Sequence, residues 1–277
     1  MDQQQKIAKF RDLHNQSGAF IIPNPWDRGT ARILQAMGFK ALATTSAGLA
    51  FSLGKSEGAL TEQETLSHCG DIVDASDLPV SADLEKGFGD SPESVGRTIH
   101  DAASTGLAGC SIEDHTNRHE APIFEFNLAV ERIQAACEAK QELPHDFVLT
   151  ARCENFLWGH PDLDDTIARL QAFERAGADV LYAPGLRDLK SIQTVCAAVN
   201  HPVNVVMGMP GTTFSINDLA EVGVKRVSVG SALFRTAYGA FLRAVSEMNE
   251  TGTFTFSENA IGFSELEALV SSKTEVP

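Results

Sequence analysis

Eight short apolar runs, each followed by a longer amphipathic stretch, limit what this 277-residue chain can fold into. The runs fall at 19–23, 41–45, 80–83, 108–113, 147–152, 180–183, 203–207 and 226–229. Most are continuously apolar rather than alternating, as expected where helices cover the outer face of a parallel sheet. The intervening segments carry helix signals. Thr61-Glu62-Gln63-Glu64 fits a capping box, and Ser91-Pro92 places proline just inside a first turn. Further helices are expected over 27–37, 127–139, 163–176, 188–199, 215–221 and 231–249. Gly38, Gly106, Gly177 and Gly223 stand just before a following strand, where helix-ending glycines belong. This rhythm predicts an α/β chain of the (β/α)8 TIM-barrel type, one domain over 1–277 with its barrel body at about 15–245. A doubly wound sheet would need fewer strands and a nucleotide-binding glycine loop. Gly87-Phe88-Gly89 lacks that fingerprint. A Gly/Thr-rich link at 251–256 precedes a further apolar stripe of Ile261, Phe263, Leu266, Leu269 and Val270. It predicts an additional helix at about 257–270, packed on its own barrel or exchanged with a neighbouring subunit.

Acids close two successive strands. Asp83-Leu84-Glu85 ends the third apolar run, and Glu113-Asp114 ends the fourth. Asp83 and Glu85 sit two apart, which on one strand puts both side chains on the same face. Three carboxylates around one barrel mouth repel one another unless a cation joins them. Mg²⁺ suits such an oxygen-rich site, with Mn²⁺ as a substitute. The bland alternative is that these acids cap helices or pair with Lys86 and Arg118. Arg152 ends the fifth run, where a guanidinium fork can bind a carboxylate, a phosphonate or a developing enolate oxygen. Its structural alternative is an ion pair with Glu154. After the second strand, Thr45, Ser46, Ala47 and Gly48 offer small side chains and backbone N–H groups to a ligand, or simply make a tight turn. Asn204, in the seventh run, joins these as a substrate-binding candidate. The polar stretch from Asp114 to Glu120 reads as a mobile lid, in which His115 and His119 are either proton carriers or solvated loop residues.

Other classes are disfavoured. A net charge of -15 argues against a nucleic-acid surface and an anionic membrane as partners. No apolar run is long enough to span a bilayer, and the N-terminus lacks a secretory pattern, so a cytoplasmic protein is expected. The five cysteines are widely spaced, without a CxxC or a Cys/His cluster for structural zinc. No GxSxG or Walker loop is present.

Taken in order, Asp83-Leu84-Glu85-Lys86-Gly87-Phe88-Gly89, Ser111-Ile112-Glu113-Asp114 and Thr150-Ala151-Arg152 resemble the isocitrate lyase / phosphoenolpyruvate mutase superfamily. Thr44 to Leu49 and Val224 to Gly230 fit as well, so the resemblance spans about 15–245. It implies a (β/α)8 barrel in a homotetramer or homodimer, with a helix exchanged between subunits. It further implies chemistry beside a 2-oxo acid through a Mg²⁺-held, enolpyruvate-like species. Asp83, Glu85 and Glu113 would hold the metal, and Glu57 would stand as an outer acid. Arg152 would bind a small carboxylic-acid substrate, and the Ser46 to Gly48 backbone would clasp its carboxylate.

The departures bear on the reaction. The isocitrate and methylisocitrate lyases carry a Lys-Lys-Cys-Gly-His lid whose cysteine is the acid/base. Here the lid reads His115-Thr116-Asn117-Arg118-His119-Glu120. His115 also replaces the lysine of the phosphonate-handling members, and Leu181-Tyr182-Ala183 lacks their histidine. The expected function is a metal-dependent carbon–carbon lyase or decarboxylase of a small 2-oxo or 2-hydroxy di- or tricarboxylic acid. A phosphonate C–P hydrolase or mutase, and a non-catalytic acid-binding or structural barrel, are the alternatives.

Overall fold

The computed structural model describes residues 1–271. The chain opens with helix α1 (Gln3–Asn15), then runs β1 (Phe20–Ile22), α2 (Arg28–Ala36), β2 (Leu42–Ala43), α3 (Ser46–Ser52), α4 (Glu62–Ala75) and β3 (Val80–Asp83). It continues through α5 (Pro92–Ser104), β4 (Gly109–Glu113), α6 (Phe126–Gln141), β5 (Val148–Arg152), α7 (Leu163–Ala176) and β6 (Val180–Tyr182). Then come α8 (Leu189–Ala198), β7 (Val203–Val206), α9 (Ile216–Glu221), β8 (Arg226–Ser228) and α10 (Ala232–Thr251). A 3-10 turn (Thr255–Asn259) leads into α11 (Phe263–Ser271). The eight strands are parallel in the order β1-β8-β7-β6-β5-β4-β3-β2, so the sheet curls into the expected (β/α)8 barrel.

The seam between β1 and β2 carries no ladder. It is closed by the Ala43 N–H donating to the Pro23 carbonyl at 3.0 Å. The buried Asn24 reinforces it: its amide NH₂ donates to Thr44 O at 2.9 Å, while its Oδ1 accepts from Val229 and Gly230 N–H. One side chain thus ties β1 and β8 to β2.

Local sequence sets the helix ends. Thr61 and Glu64 make the capping box of α4, Ser91 caps α5 with Pro92 following, and α7 ends on Gly177 at φ 108. Outward-facing strand residues such as Val80, Ile112, Leu149 and Leu181 pack with Ile72, Ile99, Ile133 and Phe173 of the surrounding helices in one large core. Cys69, Cys110, Cys137 and Cys153 are buried free thiols.

Two helices lie where no helix was expected. α1 packs Ile7 and Phe10 against Ile22, Ala108, Val148 and Val180, plugging the amino-terminal end of the barrel. The signals were there: Asp2 and Gln5 form a capping box, and Ile7, Phe10 and His14 share a face. The stretch after Thr45 is a short helix rather than a simple turn. The terminal helix begins at Phe263, later than 257, because the chain first makes the 3-10 turn and then extends through Ala260. α11 lies against α2, with Arg32 Nη1 donating to Val270 O at 3.4 Å. No helix among the described residues is long and apolar enough to cross a membrane.

Candidate active site

The carboxyl ends of β2 to β5 bring the sequence-marked residues together, with Arg152 at their centre. Its Nη1 donates to Asp83 Oδ1 at 2.9 Å, its Nη2 lies 3.1 Å from Glu113 Oε2, and its Nε and Nη2 donate to Glu154 Oε1 at 3.0 and 2.8 Å. The register explains the gathering. Arg152 pairs with Glu113 on β4, and Asp83 of β3 pairs with Ser111 on the other side of that same strand. Burial works against the guanidinium charge, but Glu154, Glu113 and Asp83 outweigh it and hold Arg152 protonated. Its guanidinium also stands 5.0 Å from the Tyr182 ring centre, and burial pushes that phenol up to about 12, so it stays neutral. Glu154, weighed from sequence only as an ion partner of Arg152, is buried and does pair with it, while its Oε2 accepts from Trp158 Nε1 at 3.3 Å.

Asp83 is engaged on both oxygens. Oδ2 accepts from the Ser46 hydroxyl at 2.8 Å and from Ser46 N–H at 3.2 Å. Thr45 is buried and caps α3 by accepting from Gly48 N–H at 3.2 Å. Ser46 and Ala47 line the cavity beside Asp83, whereas Gly48 turns away from it. A Cβ there would meet Thr45 Cγ2 at 2.6 Å and Trp26 Cβ at 3.3 Å, so this glycine serves packing.

Glu85 corrects a sequence expectation. β3 ends at Asp83, and Glu85 has left-handed backbone at φ 49, so the two acids do not share a strand face by alternation. The turn nevertheless leaves both in the wall of one cleft. Burial first, then Asp83 and Glu113, push the Glu85 carboxyl up to about 8, and its buried Oε1 has no hydrogen-bond partner. Glu57 lines the same wall, and its carboxyl is raised by burial and by the same two acids. The alternative partners are taken elsewhere: Lys86 and Arg118 both pair with Asp90.

The segment after Glu113 is more firmly held than a free lid. His115 and Ile123 form an antiparallel bridge, Thr116 N–H donates to Pro122 O, and Phe124 N–H donates to Asp114 O. Asp114 and His115 are buried, so His115 is not a solvated loop residue. Its ring stacks on Trp158 at 3.7 Å between centres and 9° between planes, with Nδ1 3.7 Å from Glu113 Oε1. His119 is exposed on the rim of the cleft.

The cleft has a volume of about 690 Å³ above Arg152, and a second cavity of about 240 Å³ continues into the barrel. Asn204 lies in that deeper cavity, where its Oδ1 accepts from Arg226 Nε at 2.8 Å and its NH₂ donates to Ser228 Oγ at 3.1 Å. Among the described residues no three His, Cys, Asp or Glu side chains already converge as ligands around one point. The donor set still fits a hard divalent cation: Asp83, Glu85, Glu113 and Glu57 line one wall, they raise the carboxyls of Glu57 and Glu85, and Glu85 Oε1 is a buried oxygen without a donor.

A (β/α)8 barrel with clustered acids and a largely shielded arginine at adjacent strand ends defines an enzyme of the small-acid lyase and mutase class. The profile of the phosphoenolpyruvate phosphomutase family matches residues 10–249, and the chain belongs to that family, within the isocitrate lyase / phosphoenolpyruvate mutase superfamily. Its fold matches that of a Burkholderia cenocepacia protein, provisionally assigned as a lyase/mutase, with a TM-score of 0.95 and 55% identity over 98% of this chain and 97% of the other. The 2-methylisocitrate lyase of Escherichia coli is 29% identical over 88% of this chain and 84% of its own. An oxaloacetate acetylhydrolase with its product oxalate superposes with a TM-score of 0.85 and 25% identity, covering 97% of this chain and 94% of that one.

Proposed function

We propose that the protein is a Mg²⁺-dependent carbon–carbon lyase or decarboxylase, acting on a small 2-oxo or 2-hydroxy di- or tricarboxylic acid through an enolpyruvate-like intermediate. The observation that carries this reading is Arg152, charged, largely shielded from solvent and held by acids from β3, β4 and the β5 loop at the base of the cleft. Asp83, Glu85 and Glu113 would hold the cation, with Glu57 as an outer acid, and Mn²⁺ is a fitting substitute. When bound, the ion supplies positive charge beside the oxygen that becomes an enolate.

The chain's own groups have distinct tasks in this reading. Arg152 turns one or more N–H groups from the acids to the substrate carboxylate and enolate oxygen, a preorganised electrostatic role. Beside it, the Ala47 N–H and the Ser46 N–H, which turns from Asp83, would be offered to the substrate. His115, stacked on Trp158, can take a proton from a 2-hydroxyl in retro-aldol cleavage, with His119 at the rim as the alternative base. Decarboxylation needs no such base for the departing CO₂. Leu157 and Trp158, both partly exposed, form an apolar side of the cleft. Turnover is tested with a panel of C3 to C7 oxo and hydroxy acids, with and without Mg²⁺. Metal-dependent release of a shortened acid or CO₂ supports the reading; no turnover across the panel overturns it.

A further inference from the structure

The interior of the barrel below Arg152 is unusual for its fold. Barrel interiors are ordinarily filled by layers of branched apolar side chains. Here Ala43, Ser81, Ser111, Tyr182 and Ser228 line a well that ends on Arg226. Arg226 is buried, and no carboxylate lies within ion-pair distance of it among the described residues. Its Nε donates to Asn204 Oδ1 at 2.8 Å, and its Nη2 donates to Thr150 Oγ1 at 2.9 Å. Its Nη1 faces His14 Nε2 at 3.4 Å. His14 gives no counter-charge, because its Nδ1 is 2.7 Å from Phe10 O, and burial followed by Arg226 pulls its pKa down to about 3. Tyr182, in the wall above, is neutral as well.

A guanidinium has five N–H donors. The three contacts leave one N–H on each terminal nitrogen, below a cavity of about 240 Å³. A buried cation without an anion is a poor structural element, and a planar fork with two spare donors is a good carboxylate receptor.

We propose that Arg226 receives a second carboxylate of the substrate. The reacting end sits at Arg152 and Asp83, and the distal carboxylate points down the well. This rests on the small-acid reading above and narrows it to diacids. Thr150, which holds Arg226, and Arg152 are two residues apart on β5, or about 7 Å along the strand. A diacid of about four to six carbons spans that depth, at about 1.5 Å per bond less the zigzag. Asn204 acts here as a positioning residue for the guanidinium rather than as a ligand of the acid.

The test is direct binding, so it reads separately from turnover. Calorimetry with 2-oxoglutarate and 2-oxovalerate compares one chain length with and without the distal carboxylate. The intact protein should bind 2-oxoglutarate at least ten-fold tighter. Arg226→Met should remove that preference and leave 2-oxovalerate affinity unchanged. Equal affinities, no binding of either acid, or a preference surviving in Arg226→Met overturns the proposal. If Arg226→Met does not fold, a crystal soaked with 2-oxoglutarate decides. A carboxylate oxygen within hydrogen-bond distance of Arg226 supports the assignment; both carboxylates above Arg152, or no bound acid, overturns it. A protein that binds the diacid in this way yet turns over no acid in the panel would lose the lyase reading alone.

Discussion

Arg152 Nη1 lies 2.9 Å from Asp83 Oδ1, although β3 and β5 are not neighbours. The guanidinium reaches across β4 and meets Glu113 on the way, so one cation fastens three strand ends. Arg152→Lys keeps the charge but loses the fork. It should lower kcat/KM by about 10²-fold or more, the range for losing an aimed electrostatic donor. Arg152→Met leaves Asp83, Glu113 and Glu154 uncompensated and should cost about 3–5 kcal/mol of stability. Steady-state kinetics and denaturant titration separate the two effects.

Asp83 and Glu85 differ in how fully they are already satisfied. Asp83→Asn should weaken Mn²⁺ binding at least ten-fold in a paramagnetic titration and remove metal-stimulated activity. Glu85→Gln should weaken binding less than Asp83→Asn. It should also raise stability at pH 9, since it removes a carboxyl that must otherwise ionise in the fold against Asp83 and Glu113. Unchanged metal affinity in Asp83→Asn would remove the acids from the metal site.

His115 and His119 are separable by burial. His115→Asn should lower kcat by about 10²-fold or more if cleavage uses a base. His119→Asn should change it by less than about three-fold, as expected for an exposed rim residue. Trp158→Ala, which removes the ring beneath His115, should have an effect between these. Equal effects of the two histidine changes would refute the assignment of His115.

The pH dependence of stability carries a signature of His14. Its folded pKa, about 3, lies below the usual 6.5, so the unfolded chain binds a proton that the folded one refuses. Stability is therefore full above about pH 6.5 and falls as pH drops toward 3, by up to about 1.4 kcal/mol per unit. His14→Gln should flatten this limb. Urea midpoints between pH 4 and 7 for both proteins check it.

Asn24 fills three hydrogen bonds at the seam, two of them from the Val229 and Gly230 N–H groups just past the end of β8. Asn24→Ala should cost about 1–3 kcal/mol, because the part-buried N–H groups of Val229 and Gly230 and the Thr44 carbonyl lose their side-chain partner. Hydrogen exchange should rise first at Val229 and Gly230.

The strand positions and the gathering of Asp83, Glu113 and Arg152 were legible because strand ends in a parallel barrel share one rim. A residue's place in its run then fixes its height. Glu85 defeated the same logic, since alternation stops where the backbone turns left-handed, and nothing in Leu84-Glu85-Lys86 marks that turn. The burial of His115 depends on Trp158, more than forty positions on, so local polarity misled. The Arg226–Asn204–Thr150 contacts pair three strands through side chains and are invisible to any local pattern. α1 was readable from its cap and apolar spacing, but it lies outside the eight-fold rhythm, which starts only at residue 19.

The seam without a ladder gives the mouth two walls of unequal backbone pairing. On one side, β3 to β6 are laddered and pinned by Arg152; on the other, a two-residue β2 meets β1 through Ala43, Pro23 and Asn24. Under the lyase reading, a larger acid should be accommodated on the side without a ladder, which carries Ser46 and Ala47. Changes in the size of acid accepted should therefore map to residues near 24 and 44. Changes near 152 should instead alter the reaction rather than the size of acid accepted.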